Sequence, residues 1–281
     1  MEQSNNSNSR IESFLENPNK ALWTLAIPIM FGMGIHTLYN LIDMIFIGRL
    51  GGSAIAGVAF NMPIFFLMLG LTMGLGSGIT SAIARYIGEK NKEKADNSAD
   101  HALFIAAIIS FFFTIAGVLY GRDILIILGA KGEILSLGYD YLSYIVLGLP
   151  FMVFSGFFRS ILAGEGDMKF PMMIAGLGTV LNIILDPIFI FDLDNYWGLG
   201  LGLGVKGAAL ATVISQLTVF IIFSYMLFIK KHAYISFNFK NFKLSKEILW
   251  NIIKVGVPAS LSMIIMAVGQ GVFNKILINY S

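Results

Sequence analysis

Seven long apolar runs divide the chain, and short polar or basic segments separate them. The runs cover Ala21–Ile47, Ala54–Ile83, Ala102–Tyr120, Ile134–Phe158, Phe170–Phe191, Val205–Ile229 and Ile248–Ile278. As helices, all are long enough to cross the roughly 30 Å of hydrocarbon in a bilayer. The runs are continuous and do not alternate in polarity. Lipid also requires every backbone polar group to be satisfied within its own segment, so helices are predicted and a barrel is not. The expected class is an all-α integral membrane protein with seven spans.

The basic residues sort by side. Arg10 and Lys20 precede the first run; Arg85, Lys90, Lys92 and Lys94 follow the second; Arg159 and Lys169 follow the fourth; Lys230, Lys231, Lys240, Lys243 and Lys246 follow the sixth. The opposite loops hold only Arg49, Arg122, Lys131 and Lys206. Positive loops stay in the cytoplasm. This predicts a cytoplasmic N terminus and a multi-pass protein of the plasma membrane. Residues 1–20 are a polar cytoplasmic tail without a signal-peptide core. The polar stretch 230–246 divides a six-helix unit, 21–229, from a further helix at 247–281. Setting Ile27-Pro28 against Val257-Pro258 aligns Asn40 with Gln270 and puts Trp23 near Trp250. On that alignment the last helix begins a parallel repeat, and the chain is expected to be part of a longer transporter.

Composition sharpens this picture. The chain is 56% hydrophobic and 13% charged, too little polar surface to cover a soluble fold of 281 residues. A net charge of +2 gives no global basic field, so nucleic acid is not an expected partner. There is no cysteine, which excludes thiolate chemistry. No grouping of nucleophile, base and orienting residue appears, and no metal-ligand spacing, so no enzyme is predicted. The fourteen Met and twenty-four Phe suit a cavity that accepts varied apolar cations, although most would face lipid or other helices.

Asp43 and Asp186 are the acidic residues well inside a run. An aspartate at a helix centre costs about 2.5–3.5 kcal/mol on insertion scales, so both are expected to face a protein interior and an ion or proton path. Asp43 lies four residues after Tyr39 and seven after His36, next to Asn40 in the same stripe. Asn182 and Asp186 share a face by the same four-residue step, with Pro187 loosening the ladder beside them. A lone imidazole such as His36 is read first as packing. In Gly207-Ala208-Ala209-Leu210-Ala211-Thr212 the alanines read as close packing, and Thr212 can offer an oxygen. The glycines of Gly70–Gly78 lack the ending of a phosphate loop and read as tight helix packing.

The order of motifs resembles the multidrug and toxic compound extrusion (MATE) transporters over Ala21–Ser281. It rests on Leu38-Tyr39-Asn40-Leu41-Ile42-Asp43 running into Ile47-Gly48-Arg49-Leu50-Gly51, on Asn182 through Pro187, and on Gly204 through Thr212. The segment Arg159 to Pro171 is similar to the family's Arg-Gly-x-Gly loop, with Ala163 where arginine is usual. The acidic pair resembles the archaeal and DNA-damage-inducible-F-like branch. The resemblance implies twelve helices in two six-helix lobes, of which this chain would hold the first lobe and one helix, partnered by a C-terminal lobe and membrane lipid. It implies export of organic cations in exchange for Na+ or H+, without a cofactor. It also implies a cation site of Asp43, Asn182, Asp186, Thr212 and the Ala208 carbonyl, with Tyr39 and Tyr141 nearby. The alternative within the superfamily is a lipid-linked oligosaccharide flippase, which should show more basic residues toward the cavity.

Overall fold

The computed structural model describes residues 41–192, 200–237 and 242–277, with single helical positions at 23, 26, 27, 30, 34 and 37. Residues 41–48 form α1. After it come α2 (Gly52–Ala59), α3 (Met62–Gly88), α4 (Lys92–Ile127), α5 (Gly132–Gly164), α6 (Lys169–Ile190), α7 (Val205–Ser224, continued as a π-turn Tyr225–Ile229) and α8 (Lys246–Leu277). With α2 and α3 taken together, six of the described segments are long and apolar enough to cross a membrane. The protein is an all-α, multi-pass membrane protein. The expected first span lies largely outside the described residues, apart from its last turns in α1.

Two spans differ from the apolar pattern for local reasons. The predicted run Ala54–Ile83 is broken at Phe60-Asn61, because Pro63 enters the first turn of α3 and cannot donate to a preceding carbonyl. The break is fastened from outside: the Asn61 side chain donates to the carbonyls of Gly57 at 3.0 Å and of Gly138 in α5 at 3.1 Å. In α4 the helix begins ten residues before its apolar run. Its polar first turns are started by the Asn91 side chain, which accepts the Lys94 N–H at 3.1 Å.

Helix ends use left-handed caps. Gly129, at φ +105°, closes α4 with Ala130 N–H on the Leu125 carbonyl at 2.9 Å. Gly166, at φ +78°, closes α5 in the same way with Asp167 N–H on Leu162.

The main core runs along α5, which packs on α2, α3, α4 and α7, while α6 lies on α7 and α8 lies on α3. The α3–α8 seam explains the glycine stretch. A Cβ on Gly74 would come within 2.6 Å of Ser260 Cα, and one on Gly256 within 2.8 Å of Leu75 Cα. These helices touch backbone to backbone, which is how helices associate in lipid without a hydrophobic drive. The expectation of tight packing there holds.

Candidate cation site

The C-terminal end of α6 and the start of α7 are locked together through backbone. Pro187 removes a donor near the end of α6, and the chain returning at 201–204 serves the carbonyls beyond it. Leu201, Leu203 and Gly204 donate to Ile188, Phe189 and Ile190 at 2.8, 2.9 and 3.1 Å. Gly207 then lies against the Phe189 backbone so closely that a Cβ would meet the Ile190 nitrogen at 2.9 Å. That approach brings the Ala208–Thr212 face of α7 beside the Asn182–Asp186 face of α6.

Asp186 is fully buried and Asn182 is 2% exposed. With its amide turned so that nitrogen faces the carboxylate, Asn182 donates to Asp186 Oδ2 at 3.0 Å and accepts the Thr212 backbone N–H at 3.1 Å. The opposite orientation sets the amide nitrogen against that N–H, two donors face to face, so the first is physically preferred. The Thr212 hydroxyl lies 3.4 Å from the same amide.

Asp43 reaches the site from α1. It is buried, its carboxylate lies near enough to Asp186 to repel its charge, and among the described residues its Oδ1 has no hydrogen-bond partner. A charged oxygen in that state is costly away from water. Ala208 is fully buried in a small cluster with Ile47 of α1, Ala54, Val58, Ile190 and Val205, against which Tyr141 of α5 packs.

Asn182, Asp186 and Thr212 are therefore in direct contact, Asp43 is within electrostatic reach of Asp186, and Ala208 and Tyr141 border one cluster beside them. His36, Tyr39 and Asn40 lie outside the described residues. Among the described residues no group of three or more His, Cys, Asp or Glu gathers. The oxygens on offer are two carboxylates, an amide, a hydroxyl and backbone carbonyls. Such hard oxygens suit a small hard cation, and two close carboxylates equally suit a shared proton.

One pair was not legible in the sequence. Lys206 Nζ lies 3.4 Å from Asp140 Oδ1, half-exposed, joining the start of α7 to α5 beside Tyr141. The proximity of Lys206 to Ala208 in the chain hinted at a place near the site, but nothing marked Asp140 as its partner.

A sequence profile described as MatE matches residues 28–188. The multidrug export protein MepA of Staphylococcus aureus (strain MRSA252) is 32% identical over 264 residues, covering 93% of this chain and 56% of MepA. The probable multidrug resistance protein YoeA of Bacillus subtilis (strain 168) is 29% identical over 248 residues, 87% of this chain and 52% of YoeA. Among solved structures, an outward-facing multidrug resistance MATE transporter of the MOP superfamily superposes with a TM-score of 0.82 at 39% identity, over 90% of this chain and 54% of that one. A MOP superfamily transporter from Pyrococcus furiosus, described as having a binding pocket of reverse polarity, gives 0.83 at 40% identity over the same shares. The chain thus spans little more than half the length of these relatives.

Proposed function

The chain belongs to the MatE family of membrane transporters, and from that premise we propose that it forms the ion-handling part of a secondary active exporter of organic cations. Members of the family use coupling ions and no organic cofactor. In this reading residues 21–229 are a six-helix lobe, 230–246 a cytoplasmic connection and 247–281 the first helix of a second lobe. Residues 1–20 are a cytoplasmic tail, the N terminus is cytoplasmic, and the membrane is the plasma membrane. Asp43, Asn182, Asp186, Thr212 and the Ala208 carbonyl take up Na+ or H+, and Tyr141 flanks them.

The observation that carries the reading is the buried pair of carboxylates. Among the described residues, Asp186 is held by one neutral amide, and Asp43 has a buried oxygen without a partner. A structural staple would be expected to satisfy its own oxygens. These oxygens have lone pairs to spare, as binding of an exchangeable cation requires. The relatives' names favour drug export over the oligosaccharide reading.

Alternating access requires two lobes moving about a central cavity, so vesicles holding this chain alone are expected to export nothing. Binding can be tested on the chain itself. Radiosodium binding and proton release are measured on purified protein in lipid nanodiscs, for the native chain, Asp43→Asn and Asp186→Asn. Saturable exchange in the native chain and its loss in both variants is expected. Identical isotherms and proton release in all three would make the carboxylates structural.

A further inference from the structure

Both α4 and α7 pack on α5, and a cavity of about 350 Å³ lies in the notch between them. Its walls are aromatic. Phe154 and Phe158 of α5 and Phe220 of α7 form one side, and Phe104 of α4 faces Phe242 of the α7–α8 connection on the other. The π-turn that ends α7 adds Phe228. The cavity is remote from the cation site: Phe220 lies eight residues beyond Thr212 along α7, about 12 Å at the helical rise, and Phe228 lies farther still. Phe104 and Phe228 are also exposed on the bundle, at 42% and 37%, so the cavity opens toward surrounding lipid.

The walls are preformed. Ring centroids of Phe154, Phe158 and Phe220 stand 5.9–6.3 Å apart, and those of Phe104 and Phe242 stand 5.7 Å apart. The connection that carries Phe242 is tied down on both sides of it. Upstream, Glu165 accepts the N–H groups of Ile235 at 2.7 Å and Tyr234 at 3.0 Å, and Asp96 accepts that of Ser236 at 2.9 Å. Downstream, Asn97 donates to the Lys243 carbonyl at 3.3 Å and His101 Nε2 accepts the Ser245 N–H at 2.9 Å. Among the described lining residues Asp100 is the one ionisable side chain, and it is 5% exposed. Its neighbour His101 adds no opposing charge. Nε2 is occupied as an acceptor and Nδ1 faces the Asn97 carbonyl at 2.8 Å, so the ring is neutral with its proton on Nδ1.

We propose that this cavity is a second binding site, which takes a hydrophobic organic cation out of the surrounding lipid. Aromatic rings attract a cation through the negative faces of their π-systems, most strongly where water is excluded, and a carboxylate in the same wall supplies the opposite charge. The volume falls at the lower end of small-molecule sites, roughly 300–1,000 Å³. An acyl chain would gain the apolar contact and nothing from the carboxylate. An anion would be repelled, and a small inorganic cation would leave most of the space unfilled. That the site loads an exporter rests on the proposed function above; the binding itself does not.

The test is photolabelling of the full chain in lipid nanodiscs with 4-benzoylbenzyl-trimethylammonium, an aromatic quaternary cation, beside its neutral analogue with carbon in place of nitrogen. Peptide mass spectrometry locates the adducts. Saturable labelling by the cation within residues 100–107 or 220–228 or at Phe242 is expected, with the neutral analogue at least about tenfold weaker. Asp100→Asn should reduce labelling by the cation about tenfold and labelling by the neutral analogue by less than about twofold. Should the Asn variant fail to fold, Phe220→Leu provides the second arm: it keeps apolar bulk without a ring and should reduce labelling by the cation about threefold. Equal labelling by the two probes would make the cavity a groove for acyl chains and overturn the proposal. Cation labelling that the variants leave unchanged, or adducts confined to residues 182–212, would overturn it too. Radiosodium binding on the same native preparation keeps the two sites apart, since its loss with labelling intact sinks the cation site alone and the converse sinks only the aromatic cavity.

Discussion

The protein carries two groups of acidic residues at opposite ends of its bundle, and they differ in how well their oxygens are met. At the α6–α7 end, among the described residues, Asp186 has one amide donor and Asp43 Oδ1 has none. At the other end Glu165 receives a backbone N–H on each oxygen, and Asp96 receives both an ammonium and a backbone N–H. A saturated carboxylate holds structure, since its loss strands the donors it served. An undersatisfied one inside a membrane holds capacity for something that comes and goes. The contrast separates a site from a fastening without reference to any relative.

The largest effect expected from this contrast is a crossed one. Asp186→Asn should reduce cation affinity by at least about a hundredfold, because a buried charged ligand is removed and a neutral amide replaces it. Its melting temperature should be unchanged or higher, since repulsion with Asp43 disappears. Glu165→Ala should behave in the opposite way. It leaves two N–H groups short of acceptors at about 1–3 kcal/mol each, so protection of Tyr234 and Ile235 should fall at least about tenfold while cation affinity stays native. Isothermal binding and exchange on the same two preparations decide the matter. If Asp186→Asn melts lower and still binds, the two clusters are the same kind of object.

A middle-sized effect sharpens the comparison inside the site. Asn182 joins Asp186 to α7, through the Thr212 N–H. Asn182→Ala should reduce cation affinity about tenfold and lower stability by about 1–2 kcal/mol, a mixed signature that neither carboxylate variant shows. Loss of stability with native affinity would move Asn182 from the site to the scaffold.

Much of this arrangement could be anticipated from the chain, and the rest was hidden for identifiable reasons. The spans were legible because lipid demands uninterrupted apolar length. The Asn182–Asp186 pair was legible because a four-residue step puts both on one helical face, where a charge is too costly to be incidental. The break at Asn61 was not, since the apolar run continues across it and the decisive partner, the Gly138 carbonyl, is 77 residues away. The first turns of α4 were missed because Lys92 and Asp96 look like a solvated loop until residues 234–236 meet them. Sequence spacing records neighbours on one helix, while the contacts of Glu165 and Asp96 with 234–236 and the Lys206–Asp140 pair join residues brought together only by the fold. The stripe of His36, Tyr39 and Asn40 lies outside the described residues.

The smallest expected effect concerns that last pair, which stands at the start of α7 beside the cation site. A cation near Ala208 sees Lys206 as a repelling charge, but Asp140 at 3.4 Å nearly cancels it. Both side chains are partly in solvent, and exposed pairs of this kind contribute about 0–1 kcal/mol to stability. Removing the whole pair, Lys206→Met with Asp140→Leu, should therefore change cation affinity by less than about twofold. Removing Asp140 alone leaves the Lys206 charge uncompensated, so Asp140→Asn should weaken cation binding about two- to threefold at low ionic strength. The loss should vanish near 1 M salt of a cation the site does not take, where the screening length is only about 3 Å. Salt titration of the binding constant measures it. A loss that persists at high salt would mean that Asp140 acts at contact distance, and the undersatisfied cluster would then include a third carboxylate.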